Sequence, residues 1–394
     1  MEASRRNLLF MCFSQFGSSF SSNFIQVFLP FYILKISPYS PQVTLLWIGA
    51  IIGSSSLCAA ATATFWGSLT HRLNPKLLYL RALGVNTVAF FLMGFTTELH
   101  VLLILRILLG LSTGSSTIGL IIVSSSSPRE RVAADIGLFQ SSMTLGQLLG
   151  PLLGSLAAAM LGYRGAFVSA SAIMFASTLF CYLYVTDVPR LPKQERASGR
   201  PVIDRRLLMG WLLCFIAMVQ LTFLPSVLPN VFETFGTDRT LALKMAGIVV
   251  MLYTATAMVG TIVWSRLSIR VGLYRMVIFL FVLGIVFQSA LAFGQGIVGF
   301  TVIRMLQTGT VAATFPLVIS MFASASKGGI IGFLNSARFA GNALGPIIAT
   351  SVLAVSNLTS VYLFISAISL LVFLGFSVFF KEEKRLLAHP DSDR

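Results

Sequence analysis

The sequence predicts an all-α polytopic membrane protein, with twelve transmembrane helices in two pseudo-symmetric six-helix bundles. Three observations predict it. The 394 residues are 56% hydrophobic and only 10% charged, with a mean hydropathy of +0.87, far outside the composition of water-soluble domains. Twelve apolar stretches, at about 8–34, 44–66, 77–97, 100–123, 134–161, 165–185, 207–231, 242–264, 276–294, 297–323, 329–355 and 358–380, each come near the ~20 helical residues that span a bilayer core of about 30 Å. Gly332, Asn335, Gly341, Gly345 and Pro346 follow Gly137, Gln140, Gly146, Gly150 and Pro151 at a constant offset of 195, so one half is a relative of the other. The chain divides into a bundle over 1–186, a polar linker over 187–206 with three prolines, a bundle over 207–380 and a charged tail over 381–394.

The net charge of +15 would suit nucleic acid if it were clustered. It is instead partitioned: with the amino terminus inside, 20 of the 28 Lys and Arg fall on the cytoplasmic side, and only Lys35, Arg164, Arg239 and Lys244 fall outside. That bias sets both termini in the cytoplasm and makes nucleic-acid binding unnecessary. Trp47, Trp66, Trp211 and Trp264 fall near span ends, as an interfacial belt requires. Cys12, Cys58, Cys181 and Cys214 lie in separate spans without paired spacing, so no disulfide or metal framework is expected. Arg5 and Arg6 precede an apolar run too long for a signal peptide, which is therefore a retained first helix.

In chain order, Gln15, Ser19, Ser22 and Gln26 of the first span sit on one helix face, with Asn23 beside them. Such a stripe lines a solute path or bonds helix to helix. The second span ends in a basic turn with Gly67, Leu69, Arg72 and Lys76, matched after the eighth by Arg266 and Arg270. Arg106 lies inside the fourth span and Arg304 inside the tenth, with Gln307 one turn on; Arg338 follows Asn335 in the eleventh. An arginine in a span costs about 2.5–3.5 kcal/mol on insertion scales and faces the protein interior. Arg81 is close enough to its span end to snorkel and is given no role. The fifth span is rich in small residues, Gly137, Gly146, Gly150, Gly154 and Ser155, with Pro151 positioned to bend it. The seventh repeats Leu29-Pro30 of the first as Leu228-Pro229 and adds Gln220.

None of the 13 acidic residues lies deep in a span. The interior arginines therefore await an anionic solute, or are satisfied by carbonyls, serines and water. An intramembrane enzyme would need a nucleophile with a base or a metal cluster, yet His71, His100 and His389 lie at or beyond span ends. The chain is not expected to be an enzyme or to hold a cofactor or metal.

These residues resemble the major facilitator superfamily, and within it the twelve-helix drug:proton antiporter branch, over essentially the whole chain. The fifth-helix antiporter signature is matched by Gly137, Gly146, Gly150, Pro151 and Gly154 and departs at Ser155; Gly67, Leu69, Arg72 and Lys76 resemble the loop motif after helix two, and Arg106 with Gly110 the fourth-helix arginine motif. His71 stands where that loop motif carries aspartate, and Asn23 and Gln26 occupy the region of helix one where many proton-coupled members carry a carboxylate.

The resemblance implies alternating access, with two halves rocking about a site near the midplane. That site is walled by helices 1, 4, 7 and 10, with Gln15, Ser19, Asn23, Gln26, Arg106, Gln220, Arg304, Gln307 and Arg338 toward the solute. Gly137, Gly146, Gly150, Pro151, Gly154, Gly341, Gly345 and Pro346 are expected to form the sliding seam between halves, and Gly67, Arg72, Lys76 and Arg270 the cytoplasmic gate loops. The expected function is proton-coupled export of a small organic molecule, anionic or amphipathic, with Asp135 and Glu98 as coupling candidates. The alternative is a facilitator or importer of an anionic metabolite without proton antiport. The chain is expected as a monomer in a prokaryotic plasma membrane, the inner membrane if Gram-negative, with the bilayer and a small-molecule substrate as its partners.

Overall fold

The computed structural model describes residues 2–69, 72–128, 130–186, 205–323 and 329–388. His71, Arg129, Lys327 and residues 187–204 of the expected linker lie outside them. The described chain is helical: α1 (Glu2–Ile36), α2 (Pro41–Leu69), α3 (Pro75–Met93), α4 (Leu99–Leu111), α5 (Ser115–Ser126), α6 (Val132–Tyr184), α7 (Arg205–Thr222), α8 (Leu224–Thr234), α9 (Arg239–Val271), α10 (Leu273–Ala290) with a 3₁₀ turn (Leu291–Phe293), α11 (Gly296–Val311), α12 (Thr314–Ala323), α13 (Gly329–Val355) and α14 (Leu358–Ala388). Ten segments are long and apolar enough to cross a membrane. One of them, Ala134–Tyr184, is two spans joined at Gly162, and α1, with its polar face, completes twelve.

The expected spans are not all single helices. The fourth is broken into α4 and α5 at Gly114, whose φ of 134° favours glycine. The seventh is broken into α7 and α8 at Phe223, just before Pro225, and the tenth into α11 and α12 just before Pro316. The fifth and sixth run together as α6, which passes through Pro151 in helical geometry and leaves it only at Gly162, where φ is 72°.

By packing, the chain forms two compact units, Met1–Glu195 with Pro225–Met251, and Arg196–Leu224 with Leu252–Arg394. In the first, α1 lies along the first arm of α6. Phe16, Phe20, Phe24 and Phe28 form a row on α1 with successive ring centroids 5.6, 5.5 and 6.2 Å apart. The α1 backbone sits in a groove of matching period on α6: a Cβ added at Gly146, Gly150 or Gly154 would stand 2.7, 2.8 or 2.0 Å from the carbonyl oxygen of Phe16, Phe20 or Phe24. The second unit repeats the device between α7 and α13, where a Cβ at Gly341 would stand 2.7 Å from Phe215 O and one at Gly345 would stand 2.5 Å from Thr222 Oγ1.

This placement corrects the expectation that these glycines form a seam between halves: they hold α1 to α6 and α7 to α13 within one unit. Pro151, of the same expected set, does meet a helix of the second sequence half: inside the first unit, a Cβ on Gly247 of α9 would stand 2.6 Å from Pro151 O and 1.9 Å from Ser155 Oγ. Pro346 is buried in α13, and its carbonyl accepts from Thr350 Oγ1 at 2.9 Å. Gly137 has nothing within 4 Å and is exposed, so close approach does not account for it.

Gly154→Leu is therefore expected to force α1 off α6 and cost about 1–3 kcal/mol, read as a lower thermal midpoint of the purified protein. Gly137→Leu is expected to leave the midpoint unchanged.

Candidate functional site

Away from water a freed backbone carbonyl needs another donor, from a tightened turn or from a side chain of a neighbouring helix. Pro225 has no N–H and cannot donate to Leu221 O, the acceptor four residues back. Arg304 of α11 fills that place: Nη2 donates to Leu221 O at 2.8 Å and Nη1 to Gln220 O at 2.8 Å. Nη1 also donates to Gln307 Oε1 at 2.7 Å, Gln307 Nε2 donates to Gln220 Oε1 at 3.0 Å, and Gln220 Nε2 donates to Ser369 Oγ at 2.7 Å. The guanidinium lies 4.9 Å from the ring centroids of both Phe223 and Tyr253, whose π faces offset its charge. Arg304 and Gln307 are fully buried. The structure thus corrects the expectation that Gln220, Arg304 and Gln307 face a solute: they are turned onto one another and onto the break in the seventh span.

The same logic governs the breaks in the fourth and tenth spans. Trp66 Nε1 donates to Leu111 O at 2.7 Å, and Trp264 Nε1 to Gly309 O at 2.9 Å. Both acceptors lie in the last turn of their helices, α4 and α11, where carbonyls lack intrahelical donors. Arg81 stacks 3.2 Å from the Trp66 ring centroid, and its Nη2 donates to Ser112 O at 3.0 Å. These two tryptophans therefore cap broken helices as well as lying near span ends, and Arg81, read from sequence as snorkelling, is a capping residue. The signal was present, because Trp66 and Trp264, Leu111 and Gly309, and Arg106 and Arg304 all share one offset, 198.

Arg106 has the same place in the repeat and the opposite environment. The Nε of both arginines is buried without a hydrogen-bond partner among the described residues, but the Nη atoms of Arg304 are bonded whereas Arg106, 8% exposed, makes no hydrogen bond among those residues. The reason is in the sequence. Leu29-Pro30 and Leu228-Pro229 align α1 with the seventh span, α7 and α8, at an offset of 199, which puts Gln26 where α8 has Pro225. Gln26 keeps the N–H that Pro225 lacks, so the Ser22 carbonyl, which stands where α7 has Leu221, retains its helical donor, and α1 stays helical through this stretch. Leu109 and Ser55, at the 198 offset, replace Gln307 and Tyr253. What remains is a buried guanidinium with donors to spare, suited to a carboxylate, phosphate or sulfonate.

The polar stripe of α1 is divided. Gln15, 3% exposed, accepts from Tyr79 Oη at 3.3 Å, and Ser19 Oγ donates to Met143 O at 2.8 Å. Both bond helix to helix within the first unit. Asn23 Nδ2 donates to Ser19 O at 2.8 Å on its own helix, and Gln26 is half-buried. Arg338 is exposed beside Phe315 and Phe339, 5.9 and 5.4 Å from their ring centroids. At the basic turns, Gly67 lies in the last turn of α2, Arg72 is exposed, the Lys76 ammonium lies 5.8 Å from the Tyr182 ring centroid, and Arg270 closes α9. Asp135 is half-buried in the first turn of α6, and Glu98 is exposed at the α4 N-cap.

Arg304→Met is expected to leave two backbone carbonyls and an amide without donors, at about 1–3 kcal/mol for each group left unmet. The measurement is thermal unfolding in detergent, and a wild-type midpoint would contradict the capping role.

A family model described as Major Facilitator Superfamily matches residues 11–224 and 210–393. The multidrug resistance protein MdtG of Yersinia enterocolitica is 27% identical over 372 residues, covering 91% of this chain and 89% of that protein. The uncharacterized transporter YuxJ of Bacillus subtilis is 26% identical, covering 86% and 89%. Among solved structures, the nucleoside transporter NupG (D323A mutant) superposes with a TM-score of 0.80 at 14% identity, covering 96% of this chain and 100% of that one. The human organic anion transporter MFSD10 does so with a TM-score of 0.67 at 18% identity, covering 95% and 99%. At these identities the structures share the fold alone. The twelve spans, the duplicated halves and the family match over both of them lead to one conclusion: the chain belongs to the major facilitator superfamily and is a multi-pass membrane transporter, not an enzyme.

Proposed function

We propose that the chain exports small organic molecules bearing an anionic or strongly electronegative group, by alternating access and in exchange for protons. The observation that carries this reading is Arg106: a guanidinium 8% exposed with no hydrogen bond among the described residues, in a chain whose equivalent arginine has both Nη atoms bonded. Holding such a charge in place is costly unless a ligand repays it. The direction rests on the fifth-helix glycines and on relatives named for multidrug resistance, such as MdtG of Yersinia enterocolitica. The organic anion transporter MFSD10 and the nucleoside transporter NupG show that the fold accommodates organic solutes of both kinds. Asp135, half-buried at the start of α6, is the carboxylate proposed to carry the proton.

One observation favours a second reading. Asn23 and Gln26 place amides in the stretch of α1 where the resemblance to the superfamily implies a carboxylate in many proton-coupled members, and Asn23 is bonded to its own helix. In that reading the protein is a facilitator or importer of an anionic metabolite, driven by the solute gradient or the membrane potential.

Proteoliposomes with imposed pH or voltage gradients separate the two. Antiport predicts flux that follows the proton gradient and loses that dependence in Asp135→Asn; flux indifferent to the gradient eliminates it. In either case Arg106→Gln is expected to retain the wild-type thermal midpoint while lowering transport of organic anions about tenfold or more, the scale of one lost charge-assisted hydrogen bond. Unchanged anion transport in that variant would overturn the assignment.

A further inference from the structure

The end of α1, the break in α6 and the start of α9 surround a cavity of about 280 Å³, just under the ~300 Å³ lower end of small-molecule sites. Lys35, Tyr163, Arg239 and Thr240 are among its polar lining, and Ala158 and Leu243 are among its apolar lining. No lining residue carries a carboxylate. The nearest in sequence, Asp238, lies outside the lining and accepts from Thr240 N at 3.0 Å. Lys35 Nζ is 5.5 Å from the Tyr163 ring centroid, and the Arg239 guanidinium, beside Tyr163, reaches Phe31 O only at 3.4 Å. Both cations are exposed and line the cavity, Arg239 within hydrogen-bonding reach of the Tyr163 hydroxyl.

The charge distribution makes this convergence informative. The side of the membrane that the positive-inside bias makes external holds four cations, Lys35, Arg164, Arg239 and Lys244, and two of them line one small cavity. Next to it, Met160 and Leu161 are 78% and 62% exposed, an apolar surface beside a doubly cationic mouth. We propose that this cavity binds a phosphate oxyanion, with Lys35 and Arg239 as its charged donors and the Tyr163 hydroxyl as a third. The adjoining apolar surface favours the phosphodiester of an anionic phospholipid headgroup over free phosphate. A ligand there ties α1, α6 and α9 together within the first unit and stabilises that arrangement.

The test titrates full-length protein in a phosphate-free neutral detergent with three probes: dihexanoyl phosphatidylglycerol, dihexanoyl glycerol and inorganic phosphate. The expected result is a saturable rise in thermal midpoint with the phosphatidylglycerol and none with the uncharged diacylglycerol. Lys35→Gln with Arg239→Gln weakens the apparent affinity about tenfold or more, as loss of charge-assisted hydrogen bonds dictates, while Lys35→Arg with Arg239→Lys retains it. An equal, variant-sensitive response to inorganic phosphate supports the oxyanion site and assigns it to the free ion. Equal responses of the wild type and the glutamine variant, or no saturable response to either anion, overturn the proposal. Native mass spectrometry of the same samples, counting retained phosphatidylglycerol, gives a readout independent of folding stability.

Discussion

A carbonyl freed within a bilayer has no water to accept from, and that constraint decides where the polar side chains of this protein go. Among the described residues three spans are broken, and three sets of donors are drawn to the breaks: Trp66 and Arg81 in the fourth, Arg304 in the seventh, Trp264 in the tenth. Each donor is a long side chain from a neighbouring helix, so the break and its cap also fasten helices to each other. For Arg304 the arrangement solves two problems at once. The carbonyls gain donors, and the charge gains dipoles and two aromatic faces in place of a carboxylate.

The two halves carry an arginine at the same place in the repeat, and only the second uses it to cap a break. With glutamine rather than proline at position 26, α1 is not broken where the seventh span is, and Arg106 is left without the two carbonyls that occupy Arg304. One half thus holds a structural arginine and the other a spare one.

Much of this was legible in the residues. The twelve spans follow from hydropathy, and the duplication from the recurrence of Gly137 to Pro151 at Gly332 to Pro346. Burial of Arg106 and Arg304 follows from the cost of charge in lipid. The role of the glycines was misread because small residues announce close approach without naming the partner. At Gly146, Gly150 and Gly154 the partner is α1 of the same unit. The engagement of Arg304 was hidden for a different reason: its acceptors are backbone atoms, invisible in composition, and were signalled only by Pro225. The paired offset of 198 linking Trp66 and Trp264 to their carbonyls was readable but looked like an interfacial belt.

The most direct measurement is a double-mutant cycle between Pro225→Ala and Arg304→Met, read by chemical denaturation of the purified protein. Alanine restores an N–H to the seventh span and removes the need for the guanidinium at Leu221 O. The account predicts that Arg304→Met costs less in the alanine background than in the wild type, by about 1 kcal/mol or more. Equal costs in the two backgrounds would contradict it.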